Sequence, residues 1–457
     1  MKKLVALLLC LMMVVPATLA SAETAEGKVL NIWCWNDEFQ SRFNAYYPEV
    51  KEIAEDKSTT TLNDGTIVKW TINPNEGNNY QNKLDEALRA QESAAADDKI
   101  DIFLIEADYA LKYVDSPYTL DVKADIGLTD EDLGGQYKYT QEIATSADGK
   151  LKAVTWQATP GLFAYRRSIA KDVLGTDDPD AVQEALADWD KFNAVAEQAA
   201  AKGYYMLSGY DDAYRTFSNN VSAPWVADDG ETVVVDANLM KWVDQTKTYT
   251  EKGYNHKSSL WDATWAADQG PTGKVFGFFY STWGINFTLL GNSLETSVAN
   301  GGKEEVGNGA YGDYAVCQGP QAYYWGGTWI CGAAGSDNID LIRDIMQKLT
   351  CDEAIMKQIT MDTQDYTNCE KAMEEIANSD YKSDFLGGQN HIALFAEAAK
   401  KIDMSNAGPY DLGMNESIQN TFKDYFTDNV DEDTAKANFE TSIKEKYPEL
   451  TDVVWPA

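Results

Sequence analysis

Between residues 29 and 105 the chain alternates short apolar runs with amphipathic stretches of helical period, and few folds accept that order. Residues 29–35 read as a strand, and 38–46 as a helix that ends before Pro48. Residues 66–72 read as a second strand, stopped by Asn73-Pro74. A helix from Tyr80, capped by Asn78 or Asn79, buries Leu84, Ala87, Leu88 and Gln91, and residues 101–105 make a third strand. Strand, helix, strand, helix, strand predicts a parallel α/β sheet, because parallel neighbours need a crossover. Ligands on such sheets bind at the carboxyl ends of the strands, where residues 35–38 and 106–109 fall.

A second α/β unit follows. Asp188 caps a helix whose inner face carries Trp189, Phe192, Val195, Ala196 and Ala199, and Gly203 closes it. Residues 241–252 form another helix, 275–280 a strand, and 311–317 and 328–334 two strands around an aromatic, glycine-containing loop. From residue 341 the pattern is helical. The expected division is 28–153 with 289–331 in a first lobe, and 154–288 with 332–457 in a second. Chain crossings are expected near 153–157, 286–289 and 330–333. No flexible tether separates the lobes.

Tryptophan and tyrosine crowd the irregular segments. Of 13 Trp and 25 Tyr, many stand beside Gly, Pro, Asn or Asp, as in Trp33-Cys34-Trp35-Asn36-Asp37-Glu38, Trp156-Gln157 and Tyr323-Tyr324-Trp325-Gly326-Gly327. Core aromatics recur at regular spacing; loop aromatics beside carboxylates and amides suit a cleft. Flat apolar faces with a hydrogen-bonding rim match a sugar ring, and the competing role is to fill gaps between elements.

Lys2 and Lys3, the apolar run 4–15 and Ala20-Ser21-Ala22 read as an export signal, residues 1–22, cleaved before Glu23. No later run is long enough to span a bilayer, so no membrane insertion is expected. A formal net charge of −35 argues against nucleic acid and anionic membranes as partners. Five cysteines remain beyond the signal, an odd number without a CxxC pair, so buried free thiols are expected for most. Cys351 with Cys369, or Cys317 with Cys331, are the pairs left that could bridge. His256 and His391 have no partner at ligand spacing, and no metal or cofactor is expected.

The ordered set of pieces resembles the extracellular solute-binding proteins of carbohydrate ABC transporters, the broad group of maltose-binding protein. The resemblance is carried by Leu30-Asn31-Ile32-Trp33, Tyr80-Gln81-Asn82-Lys83-Leu84, Asp101-Ile102-Phe103, Tyr165-Arg166-Arg167, Ala187-Asp188-Trp189-Asp190, Gly273-Lys274-Val275, Trp283 and a late Gly-Gly strand. It implies a two-lobed α/β fold, each lobe a mainly parallel sheet flanked by helices, with a helical C-terminal part. It also implies a monomer that closes around carbohydrate and docks on membrane permease subunits. Residue by residue, Asp37, Glu38 and Asp108 match groups that bond sugar hydroxyls, and Trp283 matches a stacking aromatic. Trp35 and Asn36 share the first loop. Tyr210, Asp211 and Asp212 fall in a region of polar-aromatic contacts. Trp156 and Gln157 lie at the first crossing, and Tyr324, Trp325, Gly326 and Gly327 precede the last, where glycines let a ligand approach backbone amides. For Asp108 the competing role is helix capping. Ala22-Glu23 stands where single-membrane bacteria place a lipid-anchoring Cys, so the exported protein is expected in a periplasm, released, or retained at the surface by partners.

Two other classes fit parts of the pattern. A glycosidase also pairs carboxylates with aromatics, but no GxSxG, phosphate loop or metal cluster is present, and the chain is read as a non-enzyme. A receptor for a polyamine would use the same aromatics and acids through cation–π contacts and ion pairs. A released polysaccharide-binding protein would need neither permease nor lobe closure.

Overall fold

A computed structural model describes residues 28–456; the expected signal lies outside them. The strands are β1 (Val29–Cys34), β2 (Val50–Ile53), β3 (Thr59–Leu62), β4 (Ile67–Ile72), β5 (Ile102–Glu106), β6 (Val154–Thr155) and β7 (Gly161–Arg166). There follow β8 (Leu207–Gly209), β9 (Thr232–Val234), β10 (Asn255–Ser258), β11 (Gly277–Ser281), β12 (Tyr314–Cys317), β13 (Thr328–Gly332) and β14 (Asp452–Val454).

The first sheet has the order β2-β3-β4-β1-β5-β13-β6. Its centre is parallel as expected, with β1 between β4 and β5. The intervening helices, Glu38–Tyr46 and Asn79–Ala90, bury Phe39 and Phe43, and Tyr80, Leu84 and Leu88. The Tyr80 hydroxyl donates to the Leu104 carbonyl at 2.7 Å, tying helix to sheet. Asn78 occupies the N-cap position with φ 60° but makes no side-chain cap bond. The edge hairpin of β2 and β3 is antiparallel and falls in a polar stretch without strong alternation.

The second sheet departs from a mainly parallel plan. Its central β7 is antiparallel to both β11 and β12. Parallel pairing survives between β8 and β10, and a Tyr205–Val275 bridge joins that pair to the rest. β12 thus sits in the second sheet although residues 289–331 are expected in the first lobe. The Ile339–Thr350 and Glu353–Thr363 helices, expected in the second lobe, join the first: Asp344 accepts from Tyr47 Oη at 2.7 Å, and Gln136 Nε2 donates to the Thr350 carbonyl at 3.1 Å. The first helix packs on β13 and β6 and the second on the Glu38–Tyr46 helix, where Tyr46 Oη donates to Asp362 at 3.1 Å, placements that sequence order alone does not assign. The five cysteines are free, and neither expected pair is bridged. Among the described residues no helix is long and apolar enough to cross a membrane.

Candidate functional site

The carboxyl ends of β1 and β5 open on a cleft of about 880 Å³ of empty space. From the first sheet it receives Trp35, Asn36, Glu38, Glu106, Asp108 and Gln157. Facing them are Arg215, Trp261, Trp283, Phe287, Trp325 and Leu412. A second hollow, lined by Lys423, Gln419 and Asp211, shares Asp108, Arg215, Trp261, Trp325 and Leu412 with the first, so the two adjoin.

Aromatic faces dominate the far wall. Trp261 and Trp283 lie nearly parallel, 14° apart with centroids at 6.1 Å, and Trp325 meets Trp283 edge-on at 5.2 Å. Trp261 is 56% exposed and Phe287 61%, far more than core aromatics. Trp261 holds a left-handed φ of 71°, and the backbone of its loop is fastened by Asp211, which accepts from the Leu260 amide, and by Asp262, which accepts from the Ser259 amide. Trp283 is half-buried and donates its indole N–H to the Trp325 carbonyl at 3.0 Å, so its ring is fixed where it lines the cleft. Gly326 and Gly327 have φ of +69° and +115°. A Cβ on Gly326 would meet the Trp283 indole nitrogen at 3.2 Å, so the backbone comes close to the cleft only because these positions are glycine.

The near wall is acidic but mostly paired. Gln157 Nε2 donates to Glu38 at 3.0 Å and to Asp365 at 3.1 Å, and its Oε1 accepts from the Thr328 amide. Burial, and then the charge of Asp365, push the Glu38 carboxyl up to about 7. Burial and then Asp108 also hold Glu106 well above the ordinary range. Glu106 caps the turn Ala107–Tyr109 by accepting from the Asp108 amide at 2.8 Å. Asp108 therefore does not cap; its two oxygens take a bidentate grip from Arg215 at 2.6 and 2.5 Å. Asn75, at the cleft edge, has a buried Oδ1 without a hydrogen-bond partner.

Of the residues singled out from sequence, Trp35, Asn36, Glu38, Asp108, Gln157, Trp283, Trp325 and Gly326 come together in this cleft. Asp37 is exposed, makes no cap bond, and lines a side hollow with Glu38, Trp283, Phe287 and Asp365. Tyr324 is buried in a polar recess behind the Asp108–Arg215 pair. Three more residues line neither the cleft nor these side hollows. Trp156 is 1% exposed and stacks on Phe39 at 5.2 Å, so this loop aromatic is a core residue. Tyr210 is buried against Phe426. Asp212 turns inward to accept from the Gly209 amide and the Trp265 indole, and burial pushes it up to about 7. Trp261, Phe287 and Arg215 were not singled out, and Glu106 only as part of the segment 106–109. The loop-aromatic criterion applies equally to Trp261, between Leu260 and Asp262, and could have found it; nothing local marks Arg215. Among the described residues no group of three or more His, Cys, Asp and Glu is placed to hold a metal ion.

A family model described as bacterial extracellular solute-binding protein matches residues 57–386. None of the curated proteins matches by sequence. Solved structures do match in fold. A structure described as extracellular solute-binding protein family 1 is 15% identical with a TM-score of 0.68, covering 92% of this chain and 99% of its own. The ABC transporter associated binding protein from B. animalis subsp. lactis Bl-04, in complex with β-1,6-galactobiose, is 16% identical with a TM-score of 0.66, covering 93% and 100%. The GacH receptor of Streptomyces glaucescens, solved unliganded and with acarbose, is 13% identical with a TM-score of 0.64, covering 93% and 99%.

Proposed function

We propose that this chain, which belongs to the bacterial extracellular solute-binding proteins, captures a neutral carbohydrate in the cleft and delivers it to the permease of an ABC importer. The family makes it an exported binding protein, not an enzyme. The observation that carries the carbohydrate reading is the pairing of the exposed Trp261 ring and the half-buried Trp283, nearly parallel to it, with a wall of hydrogen-bonding acids and amides. Sugar rings present apolar C–H faces to such indoles and hydroxyls to such acceptors. The cleft and the adjoining hollow together give room for more than one ring, so an oligosaccharide is the ligand we favour. Fold neighbours in complex with galactobiose and with acarbose support the same class.

In this reading the ligand site comprises Trp35, Asn36, Asp37, Glu38, Gln157, Trp261, Trp283, Trp325 and Gly326. The two lobes, one on each sheet, close over the solute as a monomer. A polyamine would meet Arg215 in the cleft, and Glu38 and Glu106, held toward their neutral forms, offer it less charge than their number suggests.

Titrating intrinsic tryptophan fluorescence with neutral mono- and oligosaccharides, and separately with spermidine, tests the proposal. Saturable binding of an oligosaccharide, little changed between low and high salt, is the expected result. Binding of spermidine alone, weakening with salt, would replace the carbohydrate reading. With the best sugar, Trp261→Ala and Trp283→Ala should each weaken binding by about 1–3 kcal/mol, the scale of one large apolar face. Unchanged affinity in either variant takes that ring out of the site.

A further inference from the structure

We propose that Asp108 and Arg215 form a latch across the cleft that holds the ligand-free protein toward its closed form and thereby sets its affinity for every solute. The inference rests on the two-lobe reading above. Asp108 stands in the turn that follows β5, on the first sheet. Arg215 stands on the Tyr214–Ser218 helix, which follows β8 on the opposite wall. The guanidinium and carboxylate meet fork to fork at 2.6 and 2.5 Å, with the side chains only 17% and 11% exposed. A bidentate pair fixes orientation as well as distance, so it specifies how the walls face each other.

The surroundings make Arg215 the more important partner. Glu106 lies beside Asp108 on the first wall, and Asp411, on the second wall, interacts with both Asp108 and Arg215. Arg215 supplies the cation to this group. Without it, the Asp108 carboxylate would stand between the walls largely desolvated and with no counter-charge, and separation of the walls would return it to water. With it, part of the closing is achieved before a ligand arrives. Apparent affinity scales with the fraction of the competent form, so a latch acts by the same factor on all solutes, whereas a contact residue discriminates among them.

Ligand-free small-angle scattering on the mature chain tests the latch without requiring any ligand. Arg215→Gln should raise the radius of gyration and lower the closed-to-open ratio roughly tenfold or more. The charge-swapped double variant, Asp108→Arg with Arg215→Asp, should move the radius back toward wild type. A folded Arg215→Gln protein with the wild-type radius overturns the latch. Should that variant fail to fold, Asp108→Asn and Arg215→Lys decide: a larger radius in both supports the latch, and an unchanged radius in both overturns it. Because no sugar is used, failure of the carbohydrate assignment leaves this result standing, and failure of the latch leaves that assignment standing.

Discussion

Trp156→Ala should destabilise the protein by about 3–5 kcal/mol while leaving the solute affinity of the folded fraction unchanged. The indole is 1% exposed and stacks on Phe39, which in turn meets Trp70 edge-on. Truncation removes the largest side-chain type from the junction between the Glu38–Tyr46 helix and the first sheet, and the packed neighbours can close the cavity only in part. The backbone at this point also fastens a distant segment, since the Trp156 carbonyl accepts from the Asn368 amide at 2.8 Å. Denaturant midpoints measure the loss, and titration of the folded variant measures affinity. A variant of normal stability with lost binding would return Trp156 to the ligand site.

The second large effect is on pH. Burial holds several carboxyls above their unfolded values: Asp101 to about 6, Glu38, Asp212 and Asp411 to about 7, and Glu106 higher. In each case the folded state binds the proton more tightly than the unfolded chain. The stability this confers is complete below the unfolded value, 3.8 for Asp and 4.5 for Glu, and is lost as pH rises through the folded one. Each group in its titration window costs about 1.4 kcal/mol per pH unit. His391 runs the other way: burial lowers it to about 4, so stability rises with pH between there and its ordinary value of 6.5. Above pH 6.5 nothing from His391 opposes the carboxyls, and the net negative charge adds self-repulsion. The expected result is a melting temperature that falls from pH 6.5 to about pH 8 and levels off above it. A flat or rising profile over that range would mean that these carboxyls are ionised in the native protein at neutral pH.

The parallel centre of the first sheet and its helices were legible because local signals agreed there. Alternating patterns, Asn73-Pro74 and apolar positions at helical spacing all depend on residues a few places apart. The segments at strand ends were legible for the same reason, and Trp35, Asn36 and Glu38 reach the cleft because β1 ends beside them. The second sheet was harder. The antiparallel pairing of β7 with β11 and β12 joins residues more than a hundred positions apart, and no local pattern encodes its direction. The same limit moved β12 and two C-terminal helices to the lobes opposite those expected.

By itself, then, the sequence determined the parallel centre of the first sheet with its helices, and that aromatics and acids collect in the loops, while β2, β3 and β7 were not read from it. The tertiary structure alone decided which of those loop residues face the cleft. Trp156, Trp283 and Trp261 share the same local signature, yet the first is packed under a helix and the other two line the cleft, Trp261 exposed and Trp283 half-buried. Arg215 reads as an ordinary helical cation until the fold brings it to Asp108, 107 positions away. Burial and partner choice are properties of surfaces assembled from distant parts of the chain, and they exist only once the lobes have packed.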